Sequence, residues 1–181
     1  MSRSVYLDFG ANAGDTIADY RASATPDLCW GFEPNPHLAA ALRTKFADQP
    51  VQIIEKAVWT AEGTMPLYLG HPLSSTLLEG KVALEYFPQY AITYEQSVEV
   101  GTIDTARWLR EHVEAEDFVS VKMDIEGAEY DVLRHLLDDG AIDLIDELRC
   151  EFHAARFPGF ADRHDQILRE VAARTRLLHW V

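Results

Sequence analysis

At 181 residues the chain is long enough for one good hydrophobic core and too short for two ordinary domains. With 48% hydrophobic and 25% charged residues it has globular composition, which excludes a disordered or low-complexity chain. Sixteen Lys and Arg stand against 30 Asp and Glu, a formal net charge of -14, which repels polyphosphate and argues against a nucleic-acid partner.

No apolar run approaches the roughly 20 residues that span a bilayer. The chain enters Val5-Tyr6-Leu7 directly, without a basic segment and signal-like core, so no membrane partner and a cytoplasmic location are expected. Cys29 and Cys150 fall inside predicted strands without metal-ligand spacing and read as reduced core thiols.

In chain order, Ser4 to Phe9 is a β-type run that ends in Asp8-Phe9-Gly10-Ala11-Asn12-Ala13-Gly14-Asp15-Thr16 and turns helical through Ile17, Ala18 and Tyr20. Leu28 to Glu33 is a second strand, closed by Pro34 and Pro36, with Leu38, Ala41, Leu42 and Phe46 at helical spacing behind it. Val51 to Val58 reads as a third strand. This alternation of strands and helices predicts a parallel sheet with right-handed crossovers.

From Trp59 to Thr102 the rhythm breaks. Short alternating pieces, Thr64 to Leu69 and Ser97 to Thr102, predict an extended hairpin and loop insertion over about 59–102, with Leu84-Glu-Tyr-Phe between them. Ser74-Ser75-Thr76 and Tyr86, Phe87, Tyr90 and Tyr94 either rim a pocket, with Ser75 as a substrate contact, or form a polar turn and packed aromatics. Packing is the plainer reading.

Asp104 then caps a helix carrying Ala106, Leu109 and Val113, with Trp108 beside that stripe. Phe118 to Asp124 is a fourth parallel strand, and Ala128 to Asp139 a helix that buries Val132, Leu133, Leu136 and Leu137 and stops at Gly140. Ile145 to His153 is a fifth strand. A helix with Ile167, Leu168, Val171 and Ala172 follows, and Leu177 to Val181 is a last short strand. With no linker or internal repeat, residues 1–181 read as a single α/β domain.

The stretch Lys122-Met-Asp-Ile-Glu-Gly-Ala-Glu129 ends an apolar strand with carboxylates that open a helix. Acids there either satisfy the helix dipole or face a ligand, because open α/β sheets bind outside the carboxyl ends of their strands, where strand order reverses. The turn of Gly10, Asn12 and Gly14 lets backbone approach a ligand closely. It is not a dinucleotide fingerprint: Asn12 and Asp15 stand where two glycines belong, and an acid near the helix start would face pyrophosphate.

Glu33 lies about 20 residues past the turn, where an acid accepts hydrogen bonds from ribose hydroxyls. A nucleoside with an amino-acid tail and no phosphate is S-adenosylmethionine. Its ammonium is expected to meet Asp8 and the backbone around Gly10, and its adenine to sit near Lys56-Ala57-Val58.

With those residues in view, Leu7-Asp-Phe-Gly-Ala-Asn-Ala-Gly14, Gly31-Phe-Glu-Pro-Asn-Pro36, Lys56-Ala-Val58, Val100-Gly-Thr-Ile-Asp104 and Val121 to Glu129 resemble successive motifs of the FkbM family of S-adenosylmethionine-dependent methyltransferases. The resemblance runs over roughly residues 4 to 153. It implies a three-layer Rossmann-like class I methyltransferase sandwich with a seven-stranded, mostly parallel sheet, and O-methylation of hydroxyls on sugars, glycans or natural products.

Two departures stand out. Only Leu177 to Val181 remains where such sheets finish with an antiparallel hairpin, so a shortened C-terminal sheet edge is expected, its final strand either absent or supplied by a partner chain. Set against the family, the start of the chain implies an open acceptor site, expected to suit a bulky oligosaccharide or a lid from a homodimer partner. A non-catalytic S-adenosylmethionine-binding or regulatory protein is the alternative, and intact Asp124 and Glu126 speak against it. A nucleic-acid methyltransferase is disfavoured by charge and by the lack of an Asn/Asp-Pro-Pro-Tyr motif.

For methyl transfer the fold puts Asp124 by the methyl group as the base, with Glu126 as a second active-site candidate. Lys122 shares a strand face with Asp124 and reads as an ion-pair partner or a substrate contact. His153, with a reference pKa near 6.5, is expected one strand further out, able to take a proton at neutral pH. Alternatively Asp124, Glu126 and Glu151 hold Mg²⁺. Glu129 reads as a helix-start charge.

Overall fold

The computed structural model describes residues 2–71, 74–83, 92 and 94–179. Its elements run β1 (Ser4–Phe9), α1 (Asp15–Ser23), β2 (Leu28–Phe32), α2 (Pro36–Lys45), β3 (Gln52–Ile54), β4 (Ala57–Trp59), β5 (Gly63–Tyr68), β6 (Ser97–Asp104), α3 (Thr105–His112), β7 (Phe118–Met123), α4 (Glu129–Asp139), β8 (Glu147–Cys150), α5 (Ala161–Ala172) and β9 (Arg176–His179). Local chemistry sets the helix ends. Asn35 and Asp104 each accept a backbone N–H of the turn they open, at 3.0 Å from His37 and Arg107, and Gly140 closes α4 at φ 83°.

Six parallel strands form the main sheet in the order β3-β2-β1-β7-β8-β9. Alternation along β1 divides the two layers on its faces. Val5, Leu7 and Phe9 join Trp30, Val121, Met123, Leu109, Leu133 and Leu136 in the larger core under α3, α4 and α5. Tyr6 faces the other way and joins Ile17, Cys29, Leu42 and Phe46 under α1 and α2. Both cysteines are buried free thiols. This is the expected Rossmann-like methyltransferase sandwich.

The structure corrects three boundaries. The run Val51 to Val58 is two strands: β3 pairs with β2, whereas β4 leaves the main sheet and pairs in parallel with β6. Glu55 and Lys56 lie at the break between the two strands, in surface ion pairs with Arg43 at 2.6 Å and Glu62 at 3.3 Å. The fifth strand ends at Cys150, although the Glu151 N–H still reaches the Met123 carbonyl at 2.9 Å, and His153 instead begins a 3-10 turn over Ala154–Arg156. The last strand, β9, pairs in parallel with β8, so among the described residues the sheet has six strands rather than seven.

The insertion is the expected hairpin with an addition. β5 and β6 pair antiparallel from Gly63↔Thr102 to Tyr68↔Ser97, and β4 completes a three-stranded second sheet. The segment from Ser74 is tied back on it by Tyr68 and Thr76, whose backbones exchange hydrogen bonds of 2.8 and 3.1 Å. Leu84, Tyr86, Phe87 and Tyr90 lie outside the described residues. No helix among the described residues is long and apolar enough to cross a membrane.

Candidate active site

Strand order reverses between β1 and β7, and there the chain makes a close approach. Gly10 has φ 89°, and a Cβ on it would lie 2.0 Å from the Asp124 carbonyl oxygen, so only glycine fits. The loops after β1, β2, β7 and β8 surround a cavity of about 630 Å³. The Gly10-to-Asn12 turn, Glu33, Asn35, Leu38, Ala57 and Val58 form one half. Ser74, Ser75, Thr76, Asp124, Glu126, Glu151, His153 and Arg156 form the other.

In the first half, Glu33 is buried and accepts the Asn12 N–H at 2.8 Å and the Asn35 N–H at 2.9 Å, one on each carboxylate oxygen. Each oxygen keeps acceptor capacity. Burial pushes the Glu33 carboxyl above its ordinary range, and those two N–H groups pull it back. Asn12 holds a left-handed backbone, φ 46°, which aims its N–H at Glu33.

Two expected contacts sit elsewhere. Asp8 is fully buried behind the wall of the cavity, where Lys122 meets it at 3.1 Å and the Thr16 hydroxyl donates to it. The place expected for a ligand ammonium is thus filled by the chain's own Lys122. The register pairs Asp8 with Lys122 across adjacent strands, so Lys122 lies nearer Asp8 than Asp124, which is 3.8 Å away. Its ammonium also donates to the Gly10 carbonyl at 2.6 Å. Burial raises the Asp8 carboxyl, with Lys122 and Thr16 opposing. Gly14, at φ 77°, is a helix-packing position: a Cβ there would meet Leu42 at 2.6 Å and Phe46 at 2.7 Å.

In the second half His153 is the hub. Its Nδ1 meets Glu129 Oε1 at 2.7 Å, and its Nε2 faces Glu126 at 3.3 Å, Glu151 at 3.7 Å and Asp124 at 3.8 Å. Burial works against a charge on His153. The hydrogen bond and charge of Glu129, with the charges of Glu126 and Asp124, outweigh it and carry the imidazole up to about 9. At neutral pH His153 therefore already holds a proton and is not poised to take one, contrary to the expectation from its reference pKa. Burial, and then the nearby Asp124 charge, raise the Glu151 carboxyl.

Sequence reasoning missed three participants. Glu129 is fully buried and accepts the backbone N–H of Ile125 at 3.2 Å and of Gly127 at 2.8 Å, so it orders the whole turn besides holding His153. Lys81, with a fully buried side chain, pairs with Glu126 and donates to the Ser74 carbonyl at 2.9 Å and hydroxyl at 3.0 Å. Burial lowers its pKa and Glu126 opposes that. Arg156 lines the cavity, and its Nε donates to the Val82 carbonyl at 2.6 Å. The acidic run at Glu129 was visible in sequence; nothing marked Lys81 or Arg156.

A parallel sheet with a ligand-sized cavity at its switch point, an acid ending β2 and a carboxylate-rich loop after β7 defines the class: a Rossmann-like methyltransferase fold. The sequence matches the family profile described as Methyltransferase FkbM domain over residues 8–176, and the chain belongs to that family. Among solved structures it resembles the Methyltransferase FkbM of Methylobacillus flagellatus KT, with a TM-score of 0.52 and 14% identity. The similarity covers 96% of this chain and 38% of the other. A search of the curated proteins gives no match.

Proposed function

We propose that the chain is an S-adenosylmethionine-dependent O-methyltransferase acting on a hydroxyl of a sugar, oligosaccharide or natural product. The observation that carries this reading is one cavity joining the Gly10-to-Asn12 turn and Glu33 to Asp124 at the switch point. The first half fits a nucleoside: Glu33 has acceptor capacity for two hydroxyls, Leu38, Ala57 and Val58 offer an apolar slot for a base, and the Gly10 turn admits close backbone approach. Lys122, which lines the cavity beside Gly10, is taken up by Asp8 at 3.1 Å and by the Gly10 carbonyl at 2.6 Å rather than held out toward a phosphate, which favours a phosphate-free ligand over NAD.

When bound, S-adenosylmethionine supplies a methyl group on a sulfonium, which leaves as a neutral thioether. The chain's own work is to align an acceptor hydroxyl and take its proton. Asp124, between the two halves and a quarter exposed at 27%, takes that proton in this reading. Glu151, with its raised carboxyl, is the second proton acceptor, and charged His153 orients both carboxylates. Ser75 and Arg156 on the cavity wall offer hydroxyl and guanidinium contacts suited to a polyhydroxylated acceptor.

Calorimetry with S-adenosylhomocysteine tests the reading. Binding is expected in the wild type and falls roughly hundredfold in Glu33→Ala, about 3 kcal/mol for two hydroxyl contacts to a charged acceptor. Binding of NAD with none of S-adenosylhomocysteine refutes it. A methylation screen over sugars, oligosaccharides and polyketide hydroxyls then names the acceptor.

A further inference from the structure

We propose that Asp124, Glu126 and His153, with Glu151 beside them, form a site for one divalent transition-metal ion of the Mn²⁺ class. Ligating atoms of these three residues all lie within 4.8 Å of one another. The imidazole shows two kinds of contact. Nδ1 closes on Glu129 at 2.7 Å, a charge-assisted hydrogen bond, whereas Nε2 stands off three carboxylates at 3.3, 3.7 and 3.8 Å. Nitrogen and oxygen ligands about 2.1 Å from a shared ion lie about 3 Å apart at right angles and about 4 Å apart when opposed, and the three separations fall between those limits.

Two independent observations aim at that point. His153 is only 8% exposed, and its Nδ1 is held by a fully buried carboxylate, the arrangement that fixes the tautomer and ring orientation of a ligating histidine. Asp124 Oδ1 is buried and makes no hydrogen bond among the described residues, so one oxygen facing the cluster has lost water without replacement. Lys81 pairs with Glu126 Oε2, the same oxygen that stands 3.3 Å from His153 Nε2, so the ion shares that carboxylate with the Lys81 ammonium.

One imidazole with carboxylates selects Mn²⁺, Fe²⁺ or Zn²⁺ over Mg²⁺, which prefers an all-oxygen shell. A ligating imidazole is neutral, so with the ion bound His153 carries no proton on Nε2 and Asp124 is a ligand, which leaves the acceptor's proton to Glu151. The ion's use rests on the methyl-transfer reading: with open positions toward the cavity it binds two adjacent acceptor oxygens and acidifies one, which selects acceptors carrying vicinal oxygens.

The test uses the full chain stripped with EDTA and titrated with Mn²⁺, followed by the loss of the free-ion electron paramagnetic resonance signal. One ion per chain is expected. Its affinity falls at least tenfold in Asp124→Asn and in His153→Gln, falls 10- to 100-fold in Glu129→Gln through the lost outer shell, and is unchanged in the surface variant Asp143→Asn. Absence of saturable binding by the wild type, or binding that neither Asp124→Asn nor His153→Gln weakens, overturns the site. Calorimetry with S-adenosylhomocysteine on the same samples separates the two readings. Cofactor binding without Mn²⁺ binding overturns the ion site alone, and Mn²⁺ binding without cofactor binding supports the site while refuting methyl transfer.

Discussion

Alkaline pH should selectively weaken the His153 end of the cavity. The imidazole is raised from 6.5 to about 9, so its stabilisation is fully present below pH 6.5 and is lost as pH rises through about 9. The groups facing it are all acids, Glu129, Glu126, Glu151 and Asp124, so nothing on the ring's own contacts reverses that sign. A shift of that size corresponds to about 3 kcal/mol, an order-of-magnitude figure for a group only 8% exposed. The assay is urea unfolding of EDTA-treated protein at pH 6, 8 and 10, with His153→Gln measured alongside. Tyrosines, lysines and thiols titrate in both proteins, so their difference isolates His153. The wild type should lose about 3 kcal/mol more than the variant between pH 6 and 10, rather more than half of it below pH 8. Parallel stability curves for the two proteins would refute the reasoning.

Lys122→Met leaves Asp8 as a fully buried carboxylate without its cation and should cost about 3–5 kcal/mol in urea unfolding. Adding Asp8→Asn should recover most of that, and a cost below about 1 kcal/mol for the single change would show that the pair does not hold this wall. Gly127→Ala forces φ 111° on a side chain and sets its Cβ 2.1 Å from the Phe157 ring, so a loss of roughly 2 kcal/mol is expected in thermal unfolding. Phe157→Leu in the same background should return part of it; no difference between the two backgrounds would point to backbone strain alone.

Where the chain repeats one physical signal, the fold was readable from residues. Period-2 alternation in Val5, Leu7 and Phe9 and helical spacing in Val132, Leu133 and Leu136 placed β1 and α4, because burial on a single face leaves a regular mark. The break after Ile54 was not readable, since Glu55 and Lys56 look like ordinary outward residues of a strand and only pairing with β6 shows that the chain changes sheet. The site divides in the same way. Glu33 and Asp124 end strands whose positions follow from periodicity, and both line the cavity. Asp8 and Gly14 follow the same pattern but serve packing, because one-residue spacing does not tell whether a side chain turns toward the ligand or into the wall. Lys81 had no signal at all: a buried lysine is defined by its distant partner, Glu126, and the loop that carries it has no period.

That division explains why Asp124 stands apart from the other acids around it. Asp8 is matched by Lys122 at 3.1 Å, Glu129 by His153 at 2.7 Å, and Glu126 by Lys81. Each of those pairs offsets a desolvation cost and fixes a loop. Among the described residues Asp124 and Glu151 have only longer contacts with cations, at 3.8 Å to Lys122 and His153 for the first and 3.7 Å to His153 for the second. In a chain of net charge -14, an acid set beside other acids without a dedicated cation weakens the fold unless something outside the chain faces it. The place where local pairing is left incomplete is also where Gly10 and Asp124 bring two strand ends together, and departures from local rules of this kind concentrate at sites of function.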